Sequence, residues 1–168
     1  MNIDKLCEFT NKAYIISEHL RKLELIPYMD LVIDDINNRL QAKFPVFSEW
    51  QDYVERYNIE HAEDEDFKRL DPAVYSVIPS RYLRNVVAVG AALNFFTNDE
   101  EGEQISTKYY VQHEQNMFYM IRDFHELVPE EFRNEEGGYI SNSYNGNEDV
   151  KASIEGIVMR NGYYDNYL

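Results

Sequence analysis

Two histidine-glutamate pairs are the residues of this chain whose types could support metal or acid-base chemistry. His113-Glu114 and His125-Glu126 fall within one candidate helix or at its end, with the histidines twelve residues apart. That separation exceeds three helical turns, so the two imidazoles cannot bind one ion unless another chain completes the site. We therefore expect each histidine to take part in packing or to lie at the surface.

A set of oxygen ligands near the C-terminus has part of the spacing of a calcium-binding loop. Asn145, Asn147 and Asp149 alternate as such a loop requires, but Val150 replaces its glycine and Gly156 replaces its bidentate acid. The chain also lacks a Gly-x-Ser-x-Gly elbow, a glycine-rich phosphate loop, and the His-Glu-x-x-His and Glu-x-x-His motifs. The sequence predicts no catalytic residue, no metal site and no cofactor, and hence a protein that is not an enzyme.

Apolar residues at three- and four-residue steps predict an all-α fold, a helical bundle of about four to five helices. The first helix is expected to end near Leu23 to Leu25. The second is expected to begin at Ile26-Pro27-Tyr28, because proline suits a first helical turn, and to stop before Phe44-Pro45.

A shorter third helix carries the only tryptophan, Trp50, which we expect to seal one end of the bundle. Ser48 and Gln51 have the spacing of a capping box at its start. Five of the seven residues from 60 to 66 are acidic, which predicts a solvated loop after this helix.

Residues 75 to 124 predict two long helices joined as an antiparallel hairpin. Val77-Ile78-Pro79-Ser80 marks the start of the first, and Gly90-Ala91-Ala92 in its middle offers a flat surface for close packing. Thr97 to Gly102 supplies turn formers and acids for the joint. The second helix is expected to stop near Val128-Pro129.

Composition changes after Phe132, which divides the chain into a helical domain, 1–132, and a C-terminal tail, 133–168. The tail contains five of the seven glycines and is too polar to bury much surface alone. Alternation from Val150 to Gly156 predicts a short strand or hairpin within an otherwise extended segment. We expect this tail to anchor the protein to a neighbouring subunit or partner; the alternative is a tail that folds back as a local hairpin.

Length and composition set the limits on class. The 168 residues suffice for one ordinary core, and the longest apolar run, from Val86 to Phe96, is too short to cross a bilayer. No export segment is evident at the N-terminus, so we expect a protein made and kept in a cytoplasm, with no membrane partner. The single cysteine, Cys7, excludes an internal disulfide and predicts a reduced thiol in the first helix.

The charge balance restricts the partners. Thirty-one acids and sixteen bases leave a net charge of −15, the wrong sign for tight binding to a phosphate backbone. A surface of this sign repels a DNA duplex rather than binding it. Acidity that serves only solubility remains the alternative.

Several short segments, spread in order over residues 20 to 132, resemble the head-to-tail connector (adaptor) proteins of tailed bacteriophages. None is a chemical signature, and their order and spacing carry the resemblance. They are Pro27-Tyr28, Leu40 to Phe47, Ile78 to Arg84, Asp99 to Gly102, Met120 to Asp123 and Val128 to Glu131.

The resemblance implies a structural virion protein of the neck, a homo-oligomeric ring, typically of twelve copies, docked beneath the portal protein. Such a ring would extend the DNA channel, let DNA pass without specific binding, and attach the tail or a tail-completion (nozzle) protein. Candidate subunit-interface charges are Arg81, Arg84, Asp99, Glu100, Glu101, Arg122 and Asp123. Candidate tail residues for docking on the portal are Tyr139, Tyr144, Ile154, Ile157, Val158, Tyr163, Tyr164 and Tyr167.

A second function class stays open. A small acidic protein can imitate DNA and block a nuclease or another DNA-binding protein, with the acids at 60 to 66 and 99 to 103 in the place of phosphates. Such a mimic would bind a basic protein with strong salt dependence, whereas a connector subunit would join a high-order ring.

Overall fold

A computed structural model describes residues 1–15, 20–64, 67–97 and 103–134, and these residues form an all-α bundle of five helices, as predicted. α1 spans Ile3–Ala13, α2 Lys22–Leu40 and α3 Trp50–Glu60. α4 is a continuous run of α-helix Ser80–Tyr82, π-helix Leu83–Val87 and α-helix Ala88–Thr97, and α5 spans Glu103–Phe124. Single 3₁₀ turns follow at His125–Leu127 and Glu130–Phe132. The described residues contain no β-sheet, only the isolated bridges Asn2 to Val74 and Ala42 to Arg133.

The first helix is shorter than its apolar stripe predicts. It ends at Ala13 rather than near Leu23 to Leu25. The side chain of Asn11 is the reason, because its amide donates to the carbonyl of Leu20 at 2.8 Å and its oxygen accepts from the amide of Leu20 at 3.0 Å. Pairing of this buried side chain with Leu20 favours a turn of the chain over further helix.

The second helix begins at Lys22, earlier than the predicted start at Ile26-Pro27-Tyr28. Glu24 accepts a hydrogen bond from the backbone amide of Arg21 at 2.8 Å and so caps this start. Pro27 therefore lies inside the helix, where it has no amide hydrogen to donate to the carbonyl of Leu23. Leu23 is 83% exposed, so water can satisfy that carbonyl.

The third helix is confirmed, but its predicted capping box is wrong. The N-cap is Glu49 rather than Ser48, and it makes no side-chain capping bond. Asp30 of α2 fixes the preceding loop instead, since its carboxylate accepts from the amides of Phe47 at 2.7 Å and Ser48 at 3.4 Å. Trp50 is buried in the core, with its ring 4.8 Å from that of Tyr75, and its role in sealing one end of the bundle stays a prediction.

The hairpin of α4 and α5 is antiparallel. Tyr82 at the start of α4 packs on Phe124 at the end of α5, and Phe96 near the end of α4 packs on Tyr109 near the start of α5. The predicted joint of the hairpin falls on residues 98–102, which are outside the described residues. Pro79 is the N-cap of α4, within the segment Val77-Ile78-Pro79-Ser80 that was predicted to start this helix.

Residues Met1–Asn134 belong to one compact unit. Its last residues pair with the loop after α2, since Lys43 donates its amide to the carbonyl of Phe132 at 2.8 Å and Asn134 donates to Gln41 at 2.9 Å. The predicted boundary at Phe132 and the predicted strand from Val150 to Gly156 stay predictions, because residues 135–168 are outside the described residues.

Cys7 is a free, buried thiol on α1. Burial raises its pKa to about 11, so little thiolate forms near neutral pH. Among the described residues, no helix is long and apolar enough to span a membrane.

Close contact between three helices is centred on Gly90 of α4. A Cβ atom at this position would lie 2.7 Å from Cε1 of His113 on α5 and 2.7 Å from Cγ2 of Val32 on α2. Both distances are shorter than carbon atoms tolerate, so α4 can approach its neighbours this closely only with glycine at this position.

Replacing Gly90 with alanine should therefore destabilise the fold. Overpacking typically costs about 1–3 kcal/mol, while the better helix propensity of alanine returns up to about 1 kcal/mol. Urea unfolding of G90A, V32A and the double variant would measure the loss in free energy of unfolding and the coupling energy between positions 90 and 32. Because V32A removes one of the two clashing groups, we expect the G90A penalty to shrink in its background. Equal penalties in both backgrounds would contradict the contact.

Candidate functional site

A cluster of four charged or titratable side chains joins α2 to α5. Asp35 and Arg39 lie one turn apart on α2, and His113 and Glu114 are neighbours on α5. Arg39 donates from both terminal nitrogens to Glu114, with Nη1 2.9 Å from Oε2 and Nη2 2.8 Å from Oε1. Its Nε donates to Oδ1 of Asp35 at 2.9 Å. One guanidinium therefore holds two carboxylates, in the two-pronged geometry that suits arginine.

His113 is the buried member of this cluster, with 5% of its surface exposed. Its Nδ1 lies 3.3 Å from the carbonyl oxygen of Val86, and its Nε2 lies 3.8 Å from Oδ2 of Asp35. Val86 belongs to the π-helical part of α4, and the carbonyl of Asn85 in the same segment accepts from the side chain of Asn116 at 2.6 Å. The π segment thus presents two backbone carbonyls to side chains of α5.

The charges of the cluster partly compensate one another. Burial alone would raise the pKa of Asp35, but His113 and the guanidinium of Arg39 outweigh it and lower this pKa. The hydrogen bonds to Glu114 raise the pKa of Arg39, which stays charged. The side chains of Asp35, Arg39 and Glu114 are each about one third exposed, so water reaches the outer side of the cluster.

The prediction of no metal site took no account of Asp35. Asp35, His113 and Glu114 each offer a ligand atom, and these atoms lie within 4.8 Å of one another. His113 is buried, as expected of a histidine that takes part in packing, and His125 is partly exposed, closer to the surface histidine that was also expected. Asp35 belongs to another helix, so its place beside His113 and Glu114 does not follow from the spacing along α5. The available signal was the placement of Asp35 and Arg39 on one face of α2, four residues apart.

Three of the predicted interface charges meet at one end of the hairpin. Arg122 donates from Nε to Oδ1 of Asp123 at 2.7 Å, and Arg81 donates to the hydroxyl of Tyr82. The hydrogen bond from Arg122 lowers the pKa of Asp123, and the charge of Arg81 adds a smaller effect of the same sign. Arg84 is exposed one turn after Arg81 on α4. We call Arg81, Arg84, Arg122 and Asp123 the arginine end of the hairpin.

The other predicted contact residues cannot be placed. Asp99, Glu100 and Glu101 are in the joint of the hairpin, which the described residues do not include. The same holds for every predicted docking residue of the tail, namely Tyr139, Tyr144, Ile154, Ile157, Val158, Tyr163, Tyr164 and Tyr167.

One side of α5 exposes apolar and aromatic side chains. Val111 is 52% and Tyr119 42% exposed, and Phe118 between them is half-buried. With Gln115 and Arg122 they follow the spacing of a single helix face, opposite the buried residues of α5. The guanidinium of Arg122 lies 5.1 Å from the ring centre of Tyr119, so this α5 outer face continues into the arginine end. Sequence analysis predicted the charges at this location but not the apolar face beside them.

Two open clefts lie near the loop after α2, with volumes of 660 and 390 Å³. Lys43, Tyr53 and Arg56 line both. Burial raises the pKa of Tyr53 to about 12, so its hydroxyl stays neutral at physiological pH. We assign no ligand to either cleft.

Comparisons with protein-family models, curated proteins and solved structures find no match to this chain.

The arginine fork predicts a measurable coupling between α2 and α5. In a double-mutant cycle of R39M and E114Q, we expect a coupling energy of about 1 kcal/mol, the upper range for partly exposed ion pairs, because the fork is bidentate. Chemical unfolding of the four proteins would measure it. The exposed pair of Glu8 and Lys12 on α1, 4.0 Å apart, is the matched control and should couple more weakly. Equal coupling in both cycles would show that the fork adds nothing.

Proposed function

We propose that this chain is a structural subunit of a phage head-to-tail connector. It assembles into a ring beneath the portal, extends the DNA channel and provides the surface to which the tail attaches. This proposal is motivated by the order and spacing of the short segments between Pro27 and Glu131, which resemble those of connector proteins. The all-α bundle is compatible with it. The α5 outer face is the observation that carries it.

Exposed apolar side chains on one helix face favour association. Val111 and Tyr119 are about half exposed, with Phe118 between them. Burial of apolar surface contributes about 25 cal/mol for each Å² removed from water. An exposed apolar patch beside polar residues is typical of a protein interface, and we assign a second copy of this chain as the partner of the α5 outer face.

Charge complementarity supports a neighbouring copy as the occupant. The arginine end is a basic patch on a chain whose net charge is −15. Exposed acids follow α3 and the turn after it, at Glu49, Asp52, Glu55, Glu60 and Glu63. Subunits of a ring meet head to tail, through two different surfaces, so the arginine end of one copy can pair with acids of the next.

The acidity of the chain also suits a conduit for DNA. Twelve copies would carry about −180 elementary charges before counterions bind. Repulsion of this kind keeps a duplex away from the wall and gives it no local site at which to bind.

The row of acids on α3 is the observation that favours the alternative function. Asp52 and Glu60 share one face of α3, with Glu49 at its N-cap and Glu63 in the turn that follows, and these carboxylates could take the place of phosphates in a DNA mimic. The two functions differ in their partner. A mimic would bind a basic DNA-binding protein as a monomer or dimer, and salt would weaken that complex strongly.

Charges on the α5 outer face should prevent ring assembly. We expect the double variant V111K/Y119K to remain folded, because both side chains are exposed, and to fail to form a ring on the portal complex of the same phage. L23K is the matched control, since Leu23 is an exposed leucine on α2, and it should assemble normally. Circular dichroism checks the fold of each variant, and electron microscopy checks the ring.

Two results would overturn the proposal. One is assembly of V111K/Y119K at the wild-type level. The other is a wild-type chain that stays monomeric in the presence of portal and instead binds a basic nuclease with strong salt dependence, which would support the mimic.

The C-terminal tail is proposed as the anchor on the portal. Its tyrosines offer a large contact area with little loss of side-chain entropy. Truncation after Asn134 preserves the compact unit Met1–Asn134 and the hydrogen bond from Asn134 to Gln41, so we expect the shortened chain to stay helical and to lose portal binding. Sedimentation with portal, compared with the full chain, measures this. Unchanged binding would remove the anchor role while leaving the α5 contact intact.

A further inference from the structure

His113 has a defined tautomer when it is neutral. A backbone carbonyl can only accept a hydrogen bond, so the Nδ1 that faces the Val86 carbonyl at 3.3 Å must carry the hydrogen. The lone pair is then on Nε2. This nitrogen points to Oδ2 of Asp35, at a distance of 3.8 Å that is longer than a hydrogen bond.

Two acceptors therefore face each other in a largely buried place. A neutral imidazole nitrogen and a carboxylate oxygen do not attract each other, so the arrangement becomes favourable when a proton, a bridging water or a metal ion lies between them. Metal bonds to histidine nitrogen and carboxylate oxygen measure about 2.0–2.2 Å, so two ligands of one ion lie roughly 3–4 Å apart. The observed separation of 3.8 Å falls in this range.

Glu114 supplies a third ligand atom within 4.8 Å of the other two. Arg39 does not exclude it, because each carboxylate oxygen has a second lone pair beyond the one that accepts from the guanidinium. Arg39 holds Oδ1 of Asp35 and leaves Oδ2 free. In known metal sites, hydrogen bonds orient the ligands. A ligating carboxylate accepts from a neighbouring group, and a ligating histidine donates from its other nitrogen to a carbonyl.

We propose that Asp35, His113 and Glu114 form a site for a divalent transition-metal ion of the zinc class. One imidazole and two carboxylates favour zinc or cobalt over magnesium and calcium, which prefer oxygen ligands alone. The carboxylates are about one third exposed, so a water molecule can complete a tetrahedral shell. The ion would fasten α2 to α5 beside the contact at Gly90. This site is independent of the proposed ring and of its surfaces.

Titration of the full-length, metal-free protein with ZnCl₂ and with CoCl₂ tests the site. We expect saturable binding of one ion per chain by calorimetry, a rise in melting temperature with Zn²⁺, and the intense visible absorption of tetrahedral Co²⁺. D35N and H113Q should lose all three. D35N replaces a partly exposed side chain without a change in shape, so it decides the result if the buried H113Q fails to fold.

H125Q is the matched control. His125 and Glu126 form a second histidine-glutamate pair, 3.6 Å apart, that lies outside the cluster. H125Q should bind both ions as the wild type does. The proposal is overturned if the wild type binds no ion at a stoichiometry of one, or if D35N retains the binding and the Co²⁺ absorption. Loss of binding in H125Q alone would overturn it as well, because the ion would then be at the exposed pair.

Discussion

The close approach of α4 to α2 and α5 at Gly90 is the constraint on which the rest of the bundle depends. With no side chain at this position, the ring of His113 and the methyl group of Val32 fill the space that a Cβ would occupy. The helices can then bury their apolar faces on one another, and Val86, Val87, Ala88, Val89, Ala91 and Ala92 on α4 are fully buried. His113 becomes part of the interior, so its polar atoms need partners there.

The partners of His113 come from irregular backbone and from a second helix. The π-helical segment of α4 places the carbonyl of Val86 next to Nδ1, and α2 places Asp35 next to Nε2. Arg39 then balances the two carboxylates that surround the imidazole. π-Helical segments often occur at functional sites in helices. In this protein the segment packs where α2, α4 and α5 meet.

Local pattern was sufficient for much of the fold. The apolar periodicity of α2, α3 and the hairpin predicted their existence and type, and Pro79-Ser80 marked the start of α4 closely. The start of α2 was misplaced because a local cap at Glu24 precedes Pro27, and two further errors occurred where a side chain from farther along the chain competes with a local signal. Asn11 binds Leu20 and ends α1 early, while Asp30 binds the amides before α3 and takes the place of the Ser48 cap. Such contacts are invisible to a window of neighbouring residues.

The sequence by itself determined the helical class, the apolar stripes, the single thiol and the strong negative charge, because each follows from residue types and from their spacing along one helix. Only the tertiary structure decided which helix faces meet. It brought Asp35 to His113 and Glu114, gathered Arg81 with Arg122 and Asp123, and left Val111 and Tyr119 exposed. Periodicity states that a face is buried or exposed, but packing between helices chooses its partner, and that choice depends on shape, as at Gly90.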